Sequence, residues 1–435
     1  MVPQQKIRVA IVVVGDVGRS PRMQYHALAL ASSLADVDLV GYAGSTPSRA
    51  MREHAGITCH LLRPPVFHQQ HRLPRVLFLA YSLFKVIGQC FRLFRVLLWV
   101  VRRPDIVLVQ NPPSIPTLFI AWLVARIRAA KLVVDWHNFG YSMLALRVGP
   151  PHPVVRLAHW YERTIGRQAD AHFCVSRAMQ TKLHEQWGIR QTTVLYDRPA
   201  QVFTPTPLSA RRALFQRLQG EITSSTVSYD PNALDRPALI MSSTSWTADE
   251  DFSLVLDAVV HYEALYHQHM IERPDQPLPH LLVLITGKGP LREQYEERIK
   301  RLALRTVQIH TLWLSAEDYP LLLGTADLGL CVHRSSSGLD LPMKVADMFG
   351  SGLPVCALDY GPCLTELVRH GENGLVFSGS EQLAEQLREL FMGFPGDTPL
   401  LNRLRCNADA SGCLRWQDGW KLEALPVFSR LSKTD

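Results

Sequence analysis

The run Ile7-Arg8-Val9-Ala10-Ile11-Val12-Val13-Val14-Gly15-Asp16-Val17-Gly18-Arg19-Ser20-Pro21-Arg22 decides how this chain folds. A continuous apolar strand over Ile7–Val14 meets a glycine-bearing turn, and Ser20–Ala35 then takes up helical periodicity. The same alternation recurs downstream. Strands are predicted at Val37–Tyr42, Ile106–Gln110, Lys131–Asp135, Phe173–Val175 and Thr193–Leu195, with a helix over Arg177–Trp187. Prolines at 199, 205, 207, 231 and 237 interrupt it. It restarts with strands at Ala238–Ser242, Leu281–Thr286, Val307–His310, Asp327–Val332 and Pro354–Ala357. Helices are expected there at Phe252–Tyr266, Leu291–Leu304, Met343–Phe349 and Glu381–Leu390. Short apolar strands spaced by helices imply parallel pairing with helices on both faces. The expected class is α/β: two facing, Rossmann-like, doubly wound domains with a cleft between them and binding loops at the strands' carboxyl ends. The divisions are 1–198, a linker or insertion at 199–237, 238–393, and a tail at 394–435 returning over the first domain.

Composition agrees with that reading. A chain of 435 residues, 47% hydrophobic and 20% charged, is ordinary globular protein, not a disordered chain, a collagen-like fibre or a small disulfide scaffold. Eight cysteines without a C-x-x-C pair read as buried thiols of a reducing compartment. No secretory signal is expected, because Met1–Arg8 runs straight into the first strand. Residues 1–200 hold 25 Lys and Arg against 10 Asp and Glu, a surplus of 15 positive charges; the remainder holds 21 against 29, a deficit of 8. The basic half favours an anionic surface or a phosphorylated ligand. Nucleic acid is disfavoured as a partner, for want of zinc-finger spacing, an aromatic RNA-binding signature or a dense Lys/Arg tract.

Leu73–Val101 is apolar yet carries Lys85, Arg92 and Arg95, and Arg102 and Arg103 close it. Ser82, Lys85, Gln89, Arg92 and Arg95 form a polar stripe, too many charges for a membrane span. A helix lying in a membrane interface suits the pattern. A domain helix with a wide core face suits it too.

Five loops carry candidate chemistry. At Gly15–Arg22, glycines and a helix start favour an anion, or simply make a tight turn. Asp135-Trp136-His137-Asn138-Phe139-Gly140-Tyr141 offers polar groups for sugar hydroxyls and rings for stacking; a core histidine is the plainer alternative. Ser242-Ser243-Thr244-Ser245-Trp246-Thr247 offers phosphate donors or an ordinary helix cap. Gly287-Lys288-Gly289 is too short for a P-loop but sets an ammonium and a close backbone where a diphosphate would lie. The most specific run is Ser335–Val355, in which a loop containing Ser337, Gly338 and Asp340 leads into a short helix. There Lys344 is expected to neutralise phosphate and Asp347 to accept from ribose hydroxyls one turn later; a generic helix of an α/β domain is the plainer alternative.

That last frame resembles the nucleotide-sugar site of glycosyltransferases with the two-Rossmann GT-B architecture. The blocks at Gly15–Ala31, Gln110–Trp122, Lys131–Met143, Ser242–Phe252, Ile285–Tyr295 and Glu317–Leu358 extend the likeness. Together they resemble the chitobiosyldiphosphodolichol β-mannosyltransferase family over most of residues 7–425, with 200–236 matching poorly. The resemblance implies GDP-mannose as donor, GlcNAc2-diphosphodolichol as acceptor, and work at the cytosolic face of the endoplasmic reticulum membrane. Many relatives begin with a membrane-spanning helix. Here attachment is expected from the 73–103 segment or from partners, including other N-glycan assembly transferases. No cofactor is required by the fold, and Mg²⁺ stays unassigned. The implied chemistry is inverting transfer, with Asp16 or His137 as base. Gly18, Ser243 and Thr244 are expected near the donor, Trp246 beside it, and Gly287–Gly289 at its nucleoside. Lys288, Lys344 and Arg19 or Arg22 are expected at its diphosphate. A UDP-sugar transferase and a non-catalytic membrane scaffold are the competing readings.

Overall fold

The computed structural model describes residues 6–63, 87–222, 230, 233, 235–247 and 249–432. The chain divides into two compact units, Met1–Tyr196 with Gln417–Asp435, and Asp197–Trp416. Each is built on one parallel sheet.

In the first unit the strands are β1 (Ile7–Asp16), β2 (Ala35–Tyr42), β3 (Ile57–Leu62), β4 (Ile106–Asn111), β5 (Lys131–Trp136), β6 (Ala171–Cys174) and β7 (Thr192–Val194). Their order is β3-β2-β1-β4-β5-β6-β7. Val9 of β1 lies opposite Val37 of β2 and Ile106 of β4, and Val9–Val13 are fully covered, which is why β1 reads as an unbroken apolar run. Right-handed crossovers put the helix Pro21–Ser33 on one face. The helices Thr117–Arg128, Gly140–Val148, Pro153–Gly166 and Arg177–Glu185, which connect strands running the other way across the sheet, take the opposite face. The chain's end closes the first face: Trp420 stacks on Phe428, and Phe428 lies 5.6 Å from Phe173 of β6.

The second unit has β8 (Ala238–Ser243), β9 (Leu281–Thr286), β10 (Val307–Leu312), β11 (Leu328–Cys331), β12 (Val355–Leu358) and β13 (Gly374–Phe377), in the order β10-β9-β8-β11-β12-β13. One core layer joins the sheet to the helices Ser253–Glu272 and Ser380–Phe391. The other holds Val345, Met348 and Phe349 with Leu214 and Leu218. Those two leucines belong to a helix, Leu208–Ile222, inside the stretch the sequence leaves as a linker. Residues 394–416 also stay with this unit, through Leu401, Leu404 and Ala408, and only 417–435 join the first.

Both sheets reverse direction once, between β1 and β4 and between β8 and β11. Crevices at such reversals, beyond the strands' carboxyl ends, are where α/β folds bind ligands. Two strands escape the sequence reading. β3 (ITCHLL) is a half-exposed edge strand, and β13 has four residues. The thiols also differ from expectation: Cys406 and Cys413 are exposed, and Cys59 and Cys90 half-exposed.

Candidate active site

At the carboxyl end of β5, Asp135 is completely buried. Its carboxylate accepts from Arg22 Nε at 2.8 Å and Arg22 Nη2 at 2.9 Å, from His26 Nε2 at 3.2 Å and from His137 Nε2 at 2.9 Å. Burial by itself raises the carboxyl, but Arg22, His137 and His26 outweigh it and hold Asp135 well below the usual range. An ionised carboxylate only accepts, so each histidine presents an N–H to it. Burial pushes the His26 imidazole down, and Trp420 Nε1 donates to its Nδ1 at 3.1 Å, which keeps that ring neutral. His137 differs. It is partly exposed, and its Nδ1 has no partner among the described residues.

A second buried acid shapes the same loops. Glu162 accepts from Asn111 Nδ2 at 3.0 Å, from Ser114 Oγ, and from the backbone N–H groups of Gly140 and Tyr141 at 2.8 and 2.9 Å. It therefore ties the loop after β4 to the loop after β5, around His137.

In the second unit the loop after β8 folds around Glu250. This carboxylate accepts from Thr244 Oγ1 at 2.7 Å and Ser245 N at 2.8 Å, and it pairs with Lys344 Nζ. Lys344 also donates to the Ser243 carbonyl at 2.7 Å. Burial works to raise Glu250, but Lys344 and these donors hold it below its ordinary value. Residue 249 joins the loop after β11 through Arg334 N and Asp249 O at 3.1 Å, so the two loops flanking the β8/β11 reversal are knit together. One turn along the Lys344 helix, the Asp347 carboxyl has no hydrogen-bond partner among the described residues. Burial first, and the charge of Asp197 second, push it well above the usual carboxylate range.

Known proteins can be set beside this geometry. Residues 17–198 match the family profile described as a glycosyl transferase 4-like domain, and residues 263–392 the one described as glycosyl transferases group 1. UDP-glycosyltransferase TURAN of Arabidopsis thaliana is 45% identical, over 98% of this chain and 97% of its own length. Chitobiosyldiphosphodolichol beta-mannosyltransferase of Mus musculus is 44% identical, over 98% of this chain and 89% of its own. The enzyme of that name from Homo sapiens is 44% identical, over 96% and 92%. The chain belongs to the chitobiosyldiphosphodolichol β-mannosyltransferase family.

Its fold is shared more widely. A glycosyltransferase from Rickettsia africae, 15% identical, superposes with a TM-score of 0.65 over 99% of this chain and all of the other. Sucrose-phosphate synthase from Thermosynechococcus elongatus gives 0.65 at 13% identity over 98% and 99%. The architecture is thus that of a GT-B glycosyltransferase.

Several residues of this β-mannosyltransferase family member take positions other than those expected. Asp16 caps the turn that follows it: Oδ1 accepts from Gly18 N at 2.9 Å and Oδ2 from Ser45 N at 2.8 Å. Arg22 is buried against Asp135 and the Leu195 carbonyl, so it is not available to a diphosphate, whereas Arg19 is exposed. Trp246, expected beside the donor, is 1% exposed. Its ring centroid lies 5.0 Å from that of Phe252 and 5.5 Å from that of Tyr295, and its indole N–H donates to the Gly287 carbonyl, so it anchors the loop in the core. Gly287 and Gly289 serve close packing: a Cβ on either would fall 1.8 Å from Thr244 O or 1.7 Å from Ser245 O. Lys288 is exposed and sits over the Trp313 ring at 4.0 Å. Asp340 accepts from Ser335 and Ser337 and contacts His333 at 3.1 Å, so Ser337, Gly338 and Asp340 organise their own loop.

The sequence reading passes over Arg22's clamp, His26, Glu162 and Glu250. Glu162 does leave a signal. It is the one acid on Pro153–Gly166, and with Val155, Ala158 and Gly166 it falls on the buried face at helical spacing. Among the described residues no group of three His, Cys, Asp or Glu side chains is arranged to hold a metal ion.

Proposed function

We propose that the chain moves mannose from GDP-mannose to GlcNAc2-diphosphodolichol, with inversion, forming a β1,4 linkage at the cytosolic face of the endoplasmic reticulum membrane. The acceptor 4-hydroxyl attacks the anomeric carbon opposite the leaving GDP. Its proton passes to His137 Nδ1, and the electron pair of the breaking carbon–oxygen bond leaves with the diphosphate. The observation that carries this is the arrangement of His137, held by an ionised Asp135 with its other nitrogen unpartnered among the described residues. Asp16, the other candidate base, has both oxygens on backbone donors. Lys344 supplies the positive charge for the leaving diphosphate, and Asp347 receives the ribose hydroxyls. The names of the mouse and human relatives support the acceptor and the sugar.

Purified protein incubated with GDP-mannose and a short-chain GlcNAc2-diphosphate lipid is expected to give a β-linked mannosyl product. Absence of product overturns the reading, and an α-linked product overturns the inversion. The name of the Arabidopsis relative favours a second reading, a UDP-sugar donor. Thermal shifts separate the two: GDP-mannose, and not UDP-sugars, should raise the melting temperature.

A further inference from the structure

At the amino ends of β5, β6 and β7, the edge of the first unit's sheet remote from His137, lies a groove of about 700 Å³. Lys131 opens β5, Asp170 precedes β6 and Gln191 precedes β7, and all three line it. Residues 188–191 form one wall, and Arg430 reaches it from the returning segment. A volume of this size suits a small molecule. No lining residue belongs to the 73–103 segment, of which 73–86 lie outside the described residues.

Four cations, Lys131, Arg167, Arg190 and Arg430, line the groove against one carboxylate, Asp170. That carboxylate is engaged: Oδ2 accepts from Leu132 N at 2.8 Å, and Oδ1 lies 3.6 Å from Lys131 Nζ. Arg167 is fixed by donation from its Nε to the Trp187 carbonyl, and its Nη groups have no partner among the described residues. Gly188 passes close to that guanidinium. Its φ is +68°, and a Cβ there would come within 3.3 Å of Arg167 Nη2, so turn and close approach both call for glycine. Arg190 is exposed and has no side-chain partner among the described residues. The apolar lining, Ile189 and Leu431, is buried, so the groove presents charge to solvent.

Its inner lining holds a donor as well. His172 is 3% exposed, and Trp136 Nε1 donates to its Nδ1 at 3.1 Å. An indole nitrogen only donates, so Nδ1 is bare and the neutral ring carries its hydrogen on Nε2. Burial pushes this imidazole down to about 3, which keeps it neutral at physiological pH. Nε2 faces away from Trp136 and has no hydrogen-bond partner among the described residues. Arginines on a surface are ordinarily just solvated. Here they surround an inward N–H that lacks an acceptor, and an oxygen of a ligand would supply one. We propose that the groove binds a small anion carrying one or two phosphates, with Arg167 and Arg190 gripping its outer oxygens and His172 Nε2 donating to the innermost. Guanidinium groups match phosphate oxygens in pairs, and four cations against one acid suit a multiply charged anion. The site is separate from the loops assigned to mannosyl transfer.

Calorimetric titration of the full chain with inorganic pyrophosphate and with glycerol 3-phosphate tests it, and the pair tells a free from an esterified phosphate. At least one of them is expected to bind. Arg167→Gln with Arg190→Gln should weaken that binding at least ~10-fold. Arg190→Gln alone should weaken it less and keep the wild-type melting temperature, and Lys344→Gln should leave it intact. In histidine-labelled protein the ring N–H of His172, identified by its loss in His172→Gln, should sit on Nε2 and shift as the anion is added. If neither anion binds at millimolar concentration the proposal is overturned, whatever larger polyanion the surface attracts. Binding that survives the double arginine variant overturns it, as does binding lost only in Lys344→Gln, and so does a His172 signal that stays still while heat is released. None of these results depends on sugar transfer, which the product assay measures separately.

Discussion

Asp135 is surrounded by protein and receives four hydrogen bonds from three cationic or imidazole side chains, whereas Asp16 lies half-exposed and receives two from the backbone. The difference assigns them different tasks, positioning a ring and capping a turn. His137→Ala should therefore lower turnover by ~10²–10⁴-fold, the usual worth of general base catalysis. Asp16→Ala should cost about 1 kcal/mol of stability, the typical value of a lost cap, and leave turnover within a few-fold. Steady-state rates and urea midpoints check both. Asp347 offers a pH test. Its carboxyl is pushed up by burial and Asp197, so in the free protein it holds a proton above the ordinary carboxylate range. On the proposed reading ribose hydroxyls donate to the ionised form, so GDP binding should release that proton. Affinity should rise as pH climbs through the raised value and level off above it. Calorimetric titration with GDP across pH should show this slope, and Asp347→Asn should flatten it.

At the scale of elements, the turn after β9 and the loop after β8 act as one piece. The glycines at 287 and 289 let the two backbones touch, Trp246 is bonded to the first of them, and Lys344 is bonded to the loop they support. A methyl at 289 would collide with backbone, which cannot swing aside as a flexible side chain could. Gly289→Ala should lose more than ~1 kcal/mol, and GDP affinity should fall with stability because Lys344 is displaced. A thermal melt and a GDP titration on one sample would reveal it, and unchanged values in both would contradict the coupling. Sequence finds these loops easily, since each follows a buried strand. It does not find what they bond to. Arg22 and Asp135 are separated by 113 positions and Lys344 and Glu250 by 94, and no local pattern links either pair.

Over the whole molecule, the chain leaves the first unit after Tyr196, builds the second, and comes back at residue 417. The returning segment is held by Trp420, whose indole donates to His26 and stacks on Phe428. His26 in turn donates to Asp135. Trp420→Ala should therefore cost ~3–5 kcal/mol in the first unit, as removal of a buried aromatic does. It should also slow turnover by loosening the Asp135 group, and denaturant titration with activity assays on the same variant measures both.

The sequence by itself determined the two parallel sheets, their approximate strand positions and the loops at their carboxyl ends, because a strand buried on both faces must be apolar throughout. It could not yield the edge strands β3, where exposure relaxes that demand, and β13, whose four residues are too short a run to stand out. Nor did it distinguish a carboxylate that caps a turn from one that holds a histidine ring, or a tryptophan beside a ligand from one in the core. Those were decided by tertiary structure, since burial and the supply of hydrogen-bond partners around a side chain come largely from residues distant in the chain, as Ser45 to Asp16, Gly287 to Trp246 and Arg22 to Asp135.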